Sequence, residues 1–310
     1  MSKITHLMPV KNGFNYLPTS VANILANSNL EDEIIVIDDG STDKSTNYLN
    51  TVALEVPNLR VIYTKGIGLV NALNLGIKES SNNWIARYDV DDTYPSYRVE
   101  KQKKLISSDV AAIFCDYRMV SLDRKASAVI PSAIDNLATI ISLLYSQQTP
   151  HPGVLLNREI ITSVGGYLTN DFPVEDLSLW LRAARSGKLV SVPEVLLNYT
   201  LSNLSTSGSR QKIVKAKKLE IITEYGLPLD VIRDSVNELS DTYLRYASSP
   251  FVEERRILLL RNLRKLYKMQ PEITKVIVPG YFKYISLHPI KASSLVKQKF
   301  RRFIYRKINL

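Results

Sequence analysis

Strand-like and helix-like apolar patterns alternate along the first half of the chain. Ile4 to Val10 reads as a strand, and Glu33 to Asp38 holds Ile34-Ile35-Val36-Ile37, a run apolar on both faces. Such runs suit a central parallel strand covered on both sides. Between them, Leu17, Val21 and Ile24/Leu25 recur at helical spacing. The alternation continues with a helix through Tyr48-Leu49, a strand at Leu59 to Tyr63, a helix at Val70 to Lys78 and a strand at Trp84 to Tyr88. Beyond residue 105 come a strand at Val110 to Cys115 and a helix around Leu137 to Tyr145. Leu177, Trp180, Leu181 and Ala184 then share a helix face, with Glu175 and Asp176 at that helix's N-terminus. This order predicts an α/β fold built on a mostly parallel sheet flanked by helices.

In open α/β sheets, ligands bind beyond the carboxyl ends of the strands. Asp38 and Asp39 end the second predicted strand, and Asp89, Asp91 and Asp92 follow the fourth. Carboxylates this close repel one another unless a cation neutralises them. Hard divalent ions such as magnesium and manganese take oxygen ligands and commonly arrive bridged to phosphate. An Asp-rich turn alone reads as a solvated loop, but two acidic clusters on one rim favour a metal-diphosphate site. Glu175 and Asp176, taken alone, read as ordinary first-turn carboxylates. Zinc-ligand spacing, a Walker loop and a Gly-x-Ser-x-Gly elbow are all missing, and Gly66-Ile67-Gly68 lacks the third glycine of a dinucleotide loop.

The bulk composition narrows the class further. With 310 residues, 45% hydrophobic and 23% charged, the chain is an ordinary globular protein with length for a sizeable core. The single cysteine, Cys115, lies in an apolar run and reads as a small buried hydrophobe of a reducing compartment. The N-terminus enters a strand pattern without a signal region, and no apolar stretch is long enough to span a bilayer. The expectation is a cytoplasmic protein, peripheral on the inner face of the cytoplasmic membrane.

The membrane expectation comes from charge. Of the net +10, residues 208–310 carry the excess, with 22 of the 40 Lys and Arg and 9 of the 30 Asp and Glu. Two regions are therefore expected: a catalytic domain over residues 1–207 and a basic α-helical region over 208–310. Val296, Phe300, Phe303/Ile304 and Ile308 form one apolar face with cations opposite. Such a helix suits an anionic membrane surface, although a basic face packed on the catalytic domain is the competing reading. No nucleic-acid recognition motif accompanies the charge, so nucleic acid is not an expected partner.

Several motifs in order carry a resemblance. They are Met8-Pro9-Val10-Lys11-Asn12-Gly13, Ile35 through Asp43, Gly68 through Ile77, Ile85 through Asp92 and Arg98 through Gln102. Gly165-Gly166-Tyr167, Glu175 through Arg182 and Val192 through Leu197 complete the series. Over about residues 4–207 the chain resembles the inverting glycosyltransferases of family 2, in the subgroup that builds bacterial surface polysaccharides such as lipopolysaccharide and capsule. The resemblance implies the GT-A (Rossmann-like) fold, a nucleotide-diphospho sugar donor (a UDP-sugar), a saccharide or lipid-linked acceptor, and a divalent metal, Mn or Mg.

The resemblance also implies roles. Asp39, with Asp38 beside it, would hold the nucleoside, and backbone around Pro9, Val10 and Asn12 would frame it. Asn74, Arg87 and Asp89 would complete the donor site, and Asp91 and Asp92 would ligate the metal. Asp176 would be the general base, its place at a helix N-terminus favouring the ionised form. Glu175 would shape the site or bind the acceptor, and Trp180 belongs to the core. His151 reads equally as a site or a structural histidine. Two departures stand out: Tyr199-Thr200-Leu201-Ser202 replaces the Tyr-Arg-x-His of many relatives, and Gly66 replaces a common Asn. The alternatives are a sugar nucleotidyltransferase and a non-catalytic, membrane-associated scaffold of the same fold.

Overall fold

A computed structural model describes residues 2–121, 127–133, 135–145, 149–201 and 211–225. In chain order the elements are β1 (Ile4–Val10), α1 (Leu17–Asn27), β2 (Glu33–Asp38), α2 (Ser45–Glu55), β3 (Leu59–Tyr63), α3 (Leu69–Glu79) and β4 (Trp84–Arg87). Next come α4 (Arg98–Lys103), β5 (Val110–Ser121), β6 (Ser127–Ile130), α5 (Asn136–Tyr145), β7 (Leu155–Asn157) and α6 (Arg158–Ser163). The series closes with α7 (Glu175–Ala183), β8 (Lys188–Leu201) and α8 (Gln211–Tyr225).

The sheet runs β3-β2-β1-β4-β7-β5-β6. β1, β2, β3 and β4 pair in parallel, as expected for both-face apolar strands joined by helices. β7 pairs antiparallel with both β4 and β5, and β6 antiparallel with β5. β8 runs parallel along the length of β5, so β7 and β6 share the other edge of that strand. The sheet is thus mixed and mostly parallel.

Strand alternation divides the interior into two cores. Leu7, Ile35, Ile37 and Ile85 face α3, α5 and α7, whereas Ile4, Met8, Ile34 and Val36 face α1 and α2. Each fully buried side chain of this kind contributes about 1.5–3 kcal/mol. Gly76 sets the closeness of one layer, because a Cβ there would overlap the Leu7 side chain. α3 therefore lies directly on β1 and aims its N-terminal loop at the carboxyl rim.

The apolar rhythm placed the first four strands to within a residue. β4 ends at Arg87 rather than Tyr88, yet the Tyr88 N–H still donates to the Leu7 carbonyl at 2.9 Å. β5 runs on past Cys115 to Ser121, its far half held by β8 across bulges at Cys115 and Asp116. Cys115 is fully buried, as expected. α8 packs on α7, with Ile221 wholly buried in the core that α7 also fills. The rest of the basic region, residues 226–310, and Ser202 lie outside the described residues, so the amphipathic segment at Val296 to Ile308 has no structural account. Among the described residues no helix is long and apolar enough to cross a membrane.

Candidate active site

Three parallel strands deliver the rim. β1 and β2 end in register at Val10 and Asp38, and Arg87 at the end of β4 lies beside Leu7 of β1. The chain after β1 turns through Asn12, whose φ of +54° is unusual for a non-glycine residue. Its side chain explains the conformation: Oδ1 accepts from the Thr42 N–H at 2.7 Å, while its own N–H donates to Ser41 Oγ at 2.9 Å. The loop containing Pro9 to Asn12 is thereby fastened to the loop after β2.

Asp38 and Asp39 organise that second loop. Asp38 Oδ1 accepts from the Ser41 N–H at 3.0 Å. Asp39 accepts from the N–H groups of Ile67 at 2.6 Å and Gly68 at 2.9 Å, and from the Thr64 hydroxyl. Burial pushes the Asp39 pKa up, but these donors and the Lys11 ammonium outweigh it and hold the carboxyl below its usual range. Asp39 is thus an ionised acceptor, and its four lone-pair sites exceed the three donors named.

The acidic turn after β4 is built around Arg87, which is 1% exposed. Its Nη1 and Nη2 donate to Asp89 Oδ2 at 3.0 Å and Oδ1 at 2.7 Å. Beneath it the Arg98 guanidinium lies over the Tyr88 and Tyr94 rings, 4.0 and 4.5 Å from their centroids, and donates to the Arg87 carbonyl. On the other flank Thr200 of β8 ties the turn down. Its N–H donates to Asp92 Oδ1 at 2.8 Å and its hydroxyl to the Asp91 carbonyl at 2.7 Å. Thr200 occupies the position where many relatives carry Arg, and its bracing role depends on β8 returning beside the turn.

One carboxylate oxygen from each of Asp89, Asp91 and Asp92 lies within 4.8 Å of the others. Burial, then the Asp89 charge, raises the Asp91 pKa; Asp92 is pushed well up by burial, Asp89 and Asp91. Asp92 Oδ2 is buried without a hydrogen-bond partner. Crowded, desolvated carboxylates with an unsatisfied oxygen fit a hard divalent cation.

A cavity of about 430 Å³ opens from this cluster. Arg87, Asp89, Asp91 and Asp92 line one part, and Glu175 and Asp176 of α7 line another. Val174 is the N-cap of α7, so both acids belong to the first turn and neither caps it. Burial, then the neighbouring Asp176, pushes Glu175 up to about 7. Asp176 is also raised, because burial outweighs the Leu177 N–H, Arg87 and Lys218, all of which favour its ionised form. The helix N-terminus alone therefore does not set its charge.

His151 lines the cavity, with Tyr167 behind it. His151 Nε2 lies 2.9 Å from the Tyr167 hydroxyl, and burial with nearby Arg87 holds the imidazole neutral. Tyr167 is clasped from α3: Asn74 Oδ1 accepts from its N–H at 2.9 Å and Nδ2 donates to its carbonyl at 2.8 Å. Both ends of the Asn74 amide thus serve the Gly166-Tyr167 turn. Trp180 is fully buried, edge-on to Phe114 at 5.0 Å, and belongs to the core as its spacing predicts. Val214 of α8 also lines the cavity, a contribution invisible in residues 1–207.

Comparison with known proteins agrees with this geometry. The family profile described as Glycosyl transferase family 2 matches residues 5–155. An uncharacterized glycosyltransferase of Haemophilus influenzae is 23% identical over 94% of both chains. An O-antigen biosynthesis glycosyltransferase of Escherichia coli, WbnJ, is 27% identical over 67% of this chain and 84% of its own. Among solved structures, S. aureus TarS 1-349 in complex with UDP-GlcNAc superposes with a TM-score of 0.57 at 14% identity, over 86% of this chain and 92% of that one. The mannosyltransferase PcManGT of Pyrobaculum calidifontis, in complex with GDP-Man and Mn2+, gives 0.53 at 16% identity over 98% and 81%. Profile, relatives and sheet architecture converge: residues 5–155 carry a glycosyltransferase family 2 domain, and the sheet is that of the GT-A fold.

Proposed function

We propose that the protein transfers a sugar, with inversion at the anomeric carbon, from a nucleotide-diphospho donor to a saccharide or lipid-linked saccharide during surface-polysaccharide synthesis. The observation that carries this reading is the shared cavity, with Asp89, Asp91 and Asp92 at one part and Glu175 and Asp176 at another. Inverting transfer needs this separation of roles, with the leaving diphosphate near the cationic centre and a base near the acceptor hydroxyl. Asp176 takes the acceptor proton while the acceptor oxygen bonds to the anomeric carbon. The bond from that carbon to the diphosphate breaks, and the nucleoside diphosphate leaves with the electron pair.

The other residues take supporting parts. Asp39 and Asp38, with the loop from Pro9 and Val10 to Asn12, receive the nucleoside and ribose. Arg87 fixes Asp89, and Asn74 acts by holding Tyr167 rather than by touching the donor. Asp91 and Asp92 would hold a divalent ion, Mn or Mg, which when bound offsets the charge developing on the leaving diphosphate. Glu175, buried and raised to about 7, shapes the acceptor side.

The donor class is supported by the UDP-GlcNAc and GDP-Man carried by the two solved relatives, and a UDP-sugar is favoured. The O-antigen relative supports a surface-polysaccharide acceptor. The basic sequence of 208–310 supports peripheral attachment to an anionic membrane on the cytoplasmic side. The test is a thermal-shift panel of nucleoside diphosphates and nucleotide sugars with and without manganese, followed by transfer assays with the stabilising donors. Metal-dependent stabilisation by UDP and its sugars is expected; a chain indifferent to every nucleotide contradicts the reading.

A further inference from the structure

The motif Arg98-Val99-Glu100-Lys101-Gln102 forms α4, none of whose residues lines the cavity. Its inward face nevertheless carries two wholly buried polar side chains, Arg98 and Gln102, one helical turn apart. A guanidinium taken out of water is costly unless something meets its charge. Among the described residues Arg98 forms no ion pair; the ring faces of Tyr88 and Tyr94 meet it instead, with centroids at 4.0 and 4.5 Å. Those rings pack edge to face, 4.8 Å apart. The arginine's directed bond goes to backbone, Nη1 donating to the Arg87 carbonyl at 3.1 Å.

These contacts converge on the acidic turn. The Tyr94 hydroxyl accepts from the Asp89 N–H at 2.9 Å, so the ring beside Arg98 ends on the backbone of the first acid. The carbonyl that Arg98 holds belongs to Arg87, whose side chain grips Asp89. The same carbonyl accepts from the Gly153 N–H at 3.2 Å. Gln102 Nε2 donates to the Gly153 carbonyl at 2.8 Å and to the Ile113 carbonyl at 2.9 Å. His151 and Pro152, which directly precede Gly153, line the cavity. α4 therefore holds backbone of both the acidic turn and the His151 segment. Its own entry is pinned to α1. The Tyr94 N–H donates to Asn23 Oδ1 at 2.6 Å, and Asn27 donates to the Pro95 carbonyl at 3.0 Å while accepting from the Val99 N–H at 3.2 Å.

We infer that Tyr94 and Arg98 are positioning residues that set the turn of Asp89, Asp91 and Asp92 for its cation, with Gln102 aligning the His151 segment to the same frame. The inference rests on the reading of that turn as the metal-diphosphate site. It gives a motif with no side chain in the cavity a part in the reaction. A tyrosine suits the task because its ring meets the guanidinium while its hydroxyl accepts the Asp89 N–H; phenylalanine keeps the first contact and loses the second.

The test uses the full chain and the variants Tyr94→Phe, Arg98→Met, Arg98→Lys and Lys101→Met. Manganese binding in the presence of UDP is followed by the EPR signal of the free ion, and amide exchange at Asp89 by NMR without metal. Tyr94→Phe is expected to bind manganese about tenfold more weakly and to exchange the Asp89 amide about tenfold faster, since that N–H loses its buried partner. Arg98→Met weakens manganese binding further, and Arg98→Lys recovers part of the loss because a cation again meets the rings. Lys101→Met breaks only the partly exposed ion pair with Glu194 and binds manganese within about twofold of wild type. Unchanged exchange at Asp89 in Tyr94→Phe overturns the inference, and faster exchange with wild-type manganese binding overturns the positioning role. A loss in Arg98→Met that Arg98→Lys does not relieve overturns the part given to Arg98. An equal loss in Lys101→Met marks a general loosening of α4 and overturns the whole. If Arg98→Met fails to fold, Arg98→Lys and Tyr94→Phe still decide. If the wild type binds neither manganese nor any nucleotide, the proposed function fails, while exchange at Asp89 in Tyr94→Phe still decides whether Tyr94 holds the turn.

Discussion

Arg87 holds Asp89 in a two-point grip, with N–O distances of 3.0 and 2.7 Å, at the junction where β4 gives way to the acidic turn. Burial disfavours the arginine's charge, but the Asp89 carboxylate outweighs it and keeps the guanidinium firmly protonated. The pair does two jobs. It neutralises one of three crowded carboxylates, and it leaves Asp91 and Asp92 as the carboxylates proposed to hold a cation.

Removing the grip should therefore be expensive. Arg87→Met leaves Asp89 beside two further acids with no counter-charge, and a broken buried pair costs about 3–5 kcal/mol. Asp89 is partly exposed, so the lower end is expected. Urea unfolding checks this, and Arg87→Lys should recover only part of the loss, because a lysine cannot bond both oxygens in one plane.

The acidic turn should show its repulsion in the pH dependence of stability. Asp91 and Asp92 have folded-state pKa values raised above those of the unfolded chain. At these two sites the folded protein binds more protons, so their contribution to stability is greatest in acid and is lost as pH rises through the raised values. Manganese should raise the melting temperature at pH 7.5 by occupying the cluster. Asp91→Asn with Asp92→Asn should melt at or above the wild-type temperature without metal and lose the manganese response; a retained response would place the ion elsewhere.

Glu175 offers a second titration with a defined window. Burial and the neighbouring Asp176 push its carboxyl up to about 7 in the folded protein, against an ordinary value of 4.5. Between those values the folded state holds a proton that the unfolded chain has released, so stability falls as pH rises across the window. Glu175→Gln should remove that slope and exceed wild type at pH 8 by a few kcal/mol at most. Denaturant midpoints at pH 5 and pH 8 measure it, and a gap that does not widen with pH would contradict the raised value.

The clasp between Asn74 and Tyr167 is the most remote support of the site. Asn74→Ala leaves the Tyr167 N–H and carbonyl without their partner, costing about 1–3 kcal/mol. Because Tyr167 holds His151, kcat should fall more than the affinity for nucleotide does. Calorimetric binding of UDP beside steady-state rates separates the two effects, and equal losses in both would assign Asn74 to the donor itself.

Much of this site was legible before any coordinates. Ile34 to Ile37 announced a central strand, and Asp89-Val90-Asp91-Asp92 announced a crowded carboxylate turn at the rim, because both signals are local. The short β7 was hidden, since three residues cannot display a period, and the far half of β5 was hidden because its partner β8 lies some eighty residues away. Asn74 looked like a donor contact from its motif, yet its amide serves a backbone 93 residues distant. Charge counting grouped α8 with the basic tail, whereas its docking on α7 follows from Ile221 and Tyr225. Local chemistry survives in sequence; partnerships across the fold emerge only when the elements meet.

The base assignment is tested most directly by Asp176→Asn, an isosteric change that removes proton acceptance and little else. Transfer kcat and UDP affinity in manganese are measured on the same preparation. A fall in kcat of about 10²–10⁴-fold with UDP affinity within threefold of wild type is expected. Full transfer activity in Asp176→Asn would contradict Asp176 as the group that takes the acceptor proton.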